Sequence, residues 1–320
     1  MTRKVTDDKW NALFDYLFYY GSYLWLPAVV ILYRIHERGV IGPVFFGVSI
    51  FLIAISFYGR FIEPRWLRVK SHTIDLTEPG YDGPVHNVRV ALFSDTHYGI
   101  FKNAMPIHRL RQKIEAEKAD IVVVAGDLTN HLMVHEIDGA FADFENFKIP
   151  VFAVLGNHDF GRPGWLVSSF LEKRLESFGV KLLEGKTAHV TVRGESVGLA
   201  GLLDHYTGPA DHSVLMSKNG GTPHIVIAHN PDAVLDLPPE ASMGIMLSGH
   251  THGGQIRLPR LYKAAIPTAY SFDAGYYETR GHKVFVSSGT GMDVLPVRLF
   301  IPPQLDILNL QVAKEPRGEE

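Results

Sequence analysis

Five times between Val88 and Gly254, a short apolar, largely β-branched run stops abruptly in a burst of Asp, His, Asn and Gly. The bursts are SDTHYG (Ser94 to Gly99), AGDLTNH (Ala125 to His131), GNHDFG (Gly156 to Gly161), AHNPD (Ala228 to Asp232) and SGHTHGG (Ser248 to Gly254). The runs before them, Val88 to Phe93, Ile121 to Val124, Val151 to Leu155, His224 to Ala228 and Gly244 to Leu247, have the length and composition of buried strands, as does Lys283 to Val286. Helical patterns alternate with them: Pro106 to Lys118, with Pro in its first turn, Leu132 to Phe147 and Trp165 to Phe178. The alternation predicts an α/β domain. Loops at the carboxyl ends of strands in such sheets converge on one crevice, so the five bursts are expected to meet there.

Their chemistry narrows what the crevice holds. Asp95 and His97 stand two apart, on the same side of an extended chain. Asp127 is a short carboxylate beside Gly126, free to approach two cations, and Asn157 offers an amide oxygen. His229 ends a fourth strand, and His250 and His252 repeat the two-apart spacing with imidazoles. Singly, D-x-H or G-D is ordinary turn chemistry. All five in order, each after a strand, are the mixed oxygen and nitrogen ligands that paired divalent ions need. The absence of cysteine excludes disulfides, thiolate zinc sites and a Cys nucleophile. A formal charge of −3 gives no bulk attraction for nucleic acid, and none is expected as a partner.

The order D-x-H, G-D, G-N-H-D, H, G-H-x-H resembles the calcineurin-like metallophosphoesterase superfamily over roughly residues 87–312. The resemblance implies a four-layer αββα sandwich. It also implies roles: Asp95, His97, Asp127 and His252 around one metal; Asp127, Asn157, His229 and His250 around the other, with Asp127 bridging; and His158 not a ligand but the catalytic group facing the phosphoryl group or leaving oxygen. Asp159 would orient His158 or cap a turn. The cofactors would be two divalent ions, Mn, Fe, Zn or Ni, with Mn favoured. The segments GLLD (Gly201 to Asp204), SGHTHGGQIRLP and SSGTGMDVLPVRLFIPP (Ser287 to Pro303) are similar to the membrane-linked YaeI/YkuE-type branch, some members of which hydrolyse UDP-2,3-diacylglucosamine in lipid A synthesis. Thr290 and Gln304 depart from that branch's usual residues, at positions that are not ligands.

The first seventy residues are of another kind. Tyr16 to Tyr33 is an uncharged 18-residue stretch, RIHERG follows, and Val40 to Gly59 is an uncharged 20-residue stretch. Roughly 20 apolar residues cross a bilayer core as a helix, so a helical membrane hairpin is expected over 1–70. Arg3, Lys4, Lys9, Arg60, Arg65, Arg68 and Lys70 flank it on one side, against Arg34 and Arg38 at the turn. The positive-inside rule then puts the catalytic domain on the cytoplasmic face of a bacterial inner membrane. Residues 71–86 read as a linker or irregular entry strand, 87–312 as the metallophosphoesterase domain and 313–320 as a disordered tail. A tethered hydrolase gains most from a substrate in the same membrane, a phospholipid or lipid-linked nucleotide. Arg257, Arg260 and Lys263, with Tyr262, Tyr270, Phe272, Tyr276 and Tyr277, would hold its phosphates and acyl chains; Lys102 and Arg162 are lesser candidates. The alternatives are a broad phosphodiesterase for soluble substrates and a non-catalytic scaffold on the same fold, which would predict missing ligands. Oligomeric state is not legible.

Overall fold

The computed structural model describes residues 5–101, 105–161, 166–204, 212–216, 223–238, 241–259 and 262–313. Helix α1 (Val5–Gly21) passes through one 3-10 turn into α2 (Trp25–Glu37). Helix α3 (Pro43–Phe57) returns, opened by Pro43, whose missing N–H would be unpaired there in any case, and is extended by π and 3-10 turns to Arg65. The two arms, Leu13–Glu37 and Pro43–Arg65, are 25 and 23 residues of apolar helix, long enough to cross a membrane. Only 6% and 11% of them are buried, so they are not core helices of the domain.

Their inner ends are nonetheless locked to it. Arg60 is fully buried; its Nε donates to Ser22 Oγ at 2.7 Å, and its guanidinium lies over the rings of Tyr19, Tyr23 and Phe61. Tyr19 packs with Ile100, Phe101 and Met292 of the domain. The Phe300 N–H donates to the Glu63 carboxylate at 2.9 Å, and the Arg298 N–H donates to Gly59 O at 2.9 Å. A Cβ at Gly59 would lie 2.9 Å from Arg298 O, so only glycine allows this approach.

The domain has fourteen strands among the described residues: β1 (Arg68–Asp75), β2 (Val85–Phe93), β3 (Tyr98–Gly99), β4 (Ile121–Ala125), β5 (Thr129–Asn130), β6 (Val151–Val154), β7 (Val180–Leu182), β8 (Thr187–Val192), β9 (Glu195–Gly201), β10 (Ile225–Ile227), β11 (Ile245–Ser248), β12 (Gly275–Thr279), β13 (His282–Val286) and β14 (Gln304–Ala313). Two six-stranded sheets form, in the orders β1-β14-β2-β4-β6-β7 and β12-β13-β11-β10-β9-β8. Between them lies a core that includes Val90, Leu92, Val123, Phe152, Leu199, Ile227, Leu247, Phe285 and Leu308. The outer face of the first sheet buries Leu110 and Ile114 of α4 (Ile107–Ala116), Phe141 of α5 (Ile137–Phe141) and Leu171 and Leu175 of α6 (Ser168–Ser177). That of the second buries Leu215 of α7 (Ser213–Met216) and Val234. This is the expected four-layer αββα sandwich. The central strands β2, β4, β6 and β9, β10, β11 run parallel within their sheets, which brings their carboxyl ends to one edge of the sandwich.

Of the two readings of residues 71–86, linker or entry strand, the first part is strand: residues 68–75 form β1, paired in parallel along the whole of its length with β14, whose backbone groups would otherwise be an open edge. One local expectation is corrected: Leu132 to Phe147 is not one helix but 3-10, α and 3-10 pieces around α5. Gly139, with no Cβ and maximal backbone entropy, weakens an uninterrupted helix there.

Candidate metal centre

Each predicted ligand leaves a strand end. Asp95 and His97 follow β2, Asp127 follows β4, Asn157 and His158 follow β6, His229 follows β10, and His250 and His252 follow β11. All are buried. Asp95, His97, Asp127, His250 and His252 have φ of 52°, 47°, 51°, 72° and 51°. Non-glycine residues in that left-handed region cost on the order of 1–3 kcal/mol each, a strain that concentrates at functional sites.

The side chains meet in overlapping groups. Asp95, His97 and His252 form one, Asp127, His229 and His250 a second, and in each the ligand atoms lie within 4.8 Å of one another. His97 Nε2 is 3.0 Å from His252 Nε2, 3.5 Å from Asp127 Oδ2 and 3.9 Å from Asp95 Oδ1. His229 Nε2 is 3.1 Å from Asp127 Oδ2 and 3.2 Å from His250 Nδ1. Two atoms each bound to one ion at about 2.1 Å stand roughly 3.0–3.4 Å apart in octahedral or tetrahedral geometry, so these spacings suit shared cations. His229 Nδ1 lies 2.8 Å from Ala125 O; donating there fixes the ring with Nε2 toward Asp127, where an ion would take the place of the proton that Asp127 otherwise favours. Burial lowers the imidazoles of His97 to about 4 and His250 to about 3, so they stay neutral, the form that binds metal. The donor set therefore fits two divalent ions, with Asp127 between the two groups.

His158 also falls within 4.8 Å of His97 and Asp127, so distance alone admits it as a ligand. Charge does not separate it from the ligands: against the effect of burial, Asp293 and Asp127 raise His158 to about 9, and Asp127 and Asp95 raise His229 well above the usual histidine range in the same way. What sets His158 apart is a carboxylate outside the predicted ligand set. The group beside it is Asp293, whose Oδ2 is 3.5 Å from His158 Nε2 and whose Oδ1 accepts from Asn130 Nδ2 at 3.3 Å and Val294 N at 2.8 Å. Asp159 does something else. Its carboxylate accepts from Gly156 N, Leu128 N, Thr129 N and Thr129 Oγ1 at 3.0, 3.2, 2.8 and 2.9 Å, tying the turn after β6 to the turn after β4. Of the two roles left open for Asp159, the structure favours the turn cap. Asp159→Ala strands several buried donors, and thermal or denaturant unfolding is expected to show a loss of about 3 kcal/mol or more; a loss under about 1 kcal/mol would contradict the capping role.

Three further residues escaped the sequence reading. Asp293 is the lone carboxylate in a segment the sequence had singled out, so its signal was present. Arg298, in the same segment, is fully buried and donates to Gly291 O, Ser288 O and Ile301 O at 2.7, 2.9 and 3.1 Å, fixing the backbone around Asp293. Asp15 stands one position before the first uncharged stretch; its Oδ2 is 3.7 Å from the buried His131 Nε2. Two expectations fare differently. Arg257 donates to Gly253 O and Asp273, and the hydroxyls of Tyr262 and Tyr277 also donate to Asp273, so these groups brace a loop. Lys102, Arg162 and Arg260 lie outside the described residues.

Acidic, amide and imidazole side chains gathered at the strand ends of an αββα sandwich define a dinuclear metallohydrolase. The family of calcineurin-like phosphoesterases matches residues 88–254, just over half the chain, and the chain belongs to that family. It is a metal-dependent phosphoester hydrolase, and the family binds two divalent metals. The chain is 27% identical over 263 residues to the uncharacterized metallophosphoesterase YkuE of Bacillus subtilis, covering 79% of this chain and 89% of YkuE. It is 24% identical over 264 residues to the phosphodiesterase YaeI of Escherichia coli, covering 79% and 92%. It is 30% identical over 236 residues to a transmembrane protein with metallophosphoesterase domain of Danio rerio, covering 67% of this chain and 51% of that one.

Proposed function

We propose that the chain is a membrane-associated phosphohydrolase that cleaves a phosphodiester or pyrophosphate bond in a lipid-linked substrate, with UDP-2,3-diacylglucosamine the leading candidate. The observation that carries the reading is the double cluster around Asp127 beside a hairpin of apolar, unburied helices. Asp95, His97, Asp127 and His252 would hold one ion, and Asp127, Asn157, His229 and His250 the other, Mn being favoured. When bound, the ions supply a nucleophilic water at neutral pH and neutralise phosphate oxygens.

The chain's own groups do the rest. Asp293 holds His158 at Nε2 and favours its protonated form, while His158 Nδ1 is buried with no hydrogen-bond partner among the described residues. His158 then delivers a proton to the oxygen that departs as water oxygen bonds to phosphorus. The carboxylate ligands, held by backbone N–H groups, keep their orientation: His250 N donates to Asp95 at 3.0 Å and His158 N to Asp127 Oδ1 at 2.9 Å. Membrane association is supported by the two helices and by the kind of relative found in Danio rerio. The basic flanks support a reading with the domain at the cytoplasmic face of a bacterial inner membrane.

A soluble phosphodiester is the second reading, favoured by the name phosphodiesterase that YaeI carries. Purified protein with Mn²⁺ assayed on UDP-2,3-diacylglucosamine and on bis-p-nitrophenyl phosphate separates them. The lipid reading expects a kcat/KM for the lipid substrate at least about 100-fold higher, the scale of a few buried methylenes; equal or better turnover of the soluble diester sinks it.

A further inference from the structure

A cavity of about 530 Å³ opens beside His250 and His252. Its walls include Ile256, Leu258, Pro267, Val294, Leu295 and the ring of Tyr262. It is of the size that small ligands fill. None of the described lining residues is Lys or Arg; the polar ones are His250, Thr251, His252, Gln255 and the single carboxylate Asp293. Arg257, next in sequence to Ile256, is spent on Gly253 O and Asp273. A phosphate or nucleotide would need charge-assisted donors that the described lining does not offer. An apolar, uncharged group would not.

Val294 and Leu295 of the cavity wall lie a few residues before Arg298 and Phe300, which the hairpin grips. Val294 and Phe300 have φ of 56° and 62° and are 57% and 55% exposed. A β-branched or bulky residue at positive φ is uncommon, and here both turn apolar side chains outward. Glu63 and Gly59, at the end of the second apolar arm, bond the backbone of Phe300 and Arg298 on either side of Leu299. Asp15 and Tyr19, one turn apart on α1, face the domain at His131 and Phe101, while Leu13, Phe14, Leu17 and Phe18 face outward. The grip on residues 298–300 therefore brings the end of the second apolar arm to the loop that also carries Val294 and Leu295 of the cavity wall.

We propose that this cavity is the subsite for an apolar, uncharged arm of the phosphoester, and that it fills laterally from the bilayer that holds α1, α2 and α3. The proposal rests on the membrane-associated hydrolase reading and adds to it where the apolar part of the substrate sits and how it enters.

The test uses the full chain with Mn²⁺ and a series of p-nitrophenyl alkyl phosphates from methyl to decyl, with p-nitrophenyl thymidine 5′-phosphate as the polar arm. Expected is a kcat/KM rising about 2–4-fold per methylene until the cavity is full, the figure that follows from burying a CH₂, and a thymidine ester no better than the methyl one. Leu258→Asn, at a position 41% exposed and so tolerant of the change, is expected to flatten the slope. A flat series in wild type, with bis-p-nitrophenyl phosphate still cleaved, overturns the subsite and leaves the hydrolase standing. A rising series that is the same in detergent solution and in phospholipid vesicles keeps the subsite and overturns lateral entry. Calorimetry of octyl phosphate and inorganic phosphate on metal-free protein reads the cavity without catalysis: octyl phosphate tighter by about 10-fold or more supports it, and equal affinity overturns it.

Discussion

Asp127→Asn is expected to lower kcat/KM on bis-p-nitrophenyl phosphate by well over the ~10–100-fold that loss of an outer-shell partner costs a metal site. Asp127 is fully buried, accepts the His158 N–H through Oδ1 and turns Oδ2 toward both His229 and His97. Burial alone would raise its pKa; the neighbouring histidines, His229 first, hold it well below the ordinary carboxylate range, so it is charged at any pH at which the enzyme works. Asparagine keeps the shape and one acceptor but loses the charge that two cations would share. The variant is expected to fold and to retain less metal. Activity within about 10-fold of wild type would show that no bridging carboxylate is needed.

His158→Ala is expected to lower kcat by about 10²–10⁴-fold, the range for a positioned proton donor, with metal content unchanged. Loss of metal along with activity would make His158 a ligand instead. Asp293→Asn separates positioning from structure. In the folded protein burial pushes His158 down, but Asp293 is the largest of the groups pushing it up, so the imidazolium persists above the usual histidine range. Removing that carboxylate lowers the His158 pKa. Activity that depends on the protonated imidazole is then lost at lower pH than in wild type, and the alkaline limb of the kcat/KM profile moves toward acid. A reduced rate with an unmoved profile would leave Asp293 a purely structural residue.

The clustering of Asp95, His97, Asp127, His229, His250 and His252 was legible because they sit in short motifs that each follow an apolar strand, so sequence order carried the geometry. The layers were legible for the same reason: the parallel strands of the two sheets are buried on both faces and read as continuous apolar runs. β1, β8 and β12 were not, because their exposed faces alternate polar and apolar residues and edge strands resemble loops in composition. Asp293 was hidden for another reason. It reaches His158 across 135 positions, and only the path held by Arg298 and the hairpin brings it there. Asp15 looked like a flank of an apolar stretch, whereas its i, i+4 spacing with Tyr19 marks the face that docks. Arg257 and Tyr262 were legible only by residue type: the Arg257 guanidinium and the Tyr262 hydroxyl are engaged by Asp273, while the Tyr262 ring lines the cavity.

The most direct measurement of the central claim is metal content against activity. Protein stripped with EDTA and titrated with Mn²⁺ is expected to be inactive when metal-free, to recover full bis-p-nitrophenyl phosphate hydrolysis as the ions return, and to saturate at two Mn per chain by elemental analysis. Hydrolysis that survives complete stripping, or full activity with a single ion bound, would contradict the two-metal centre built around Asp127.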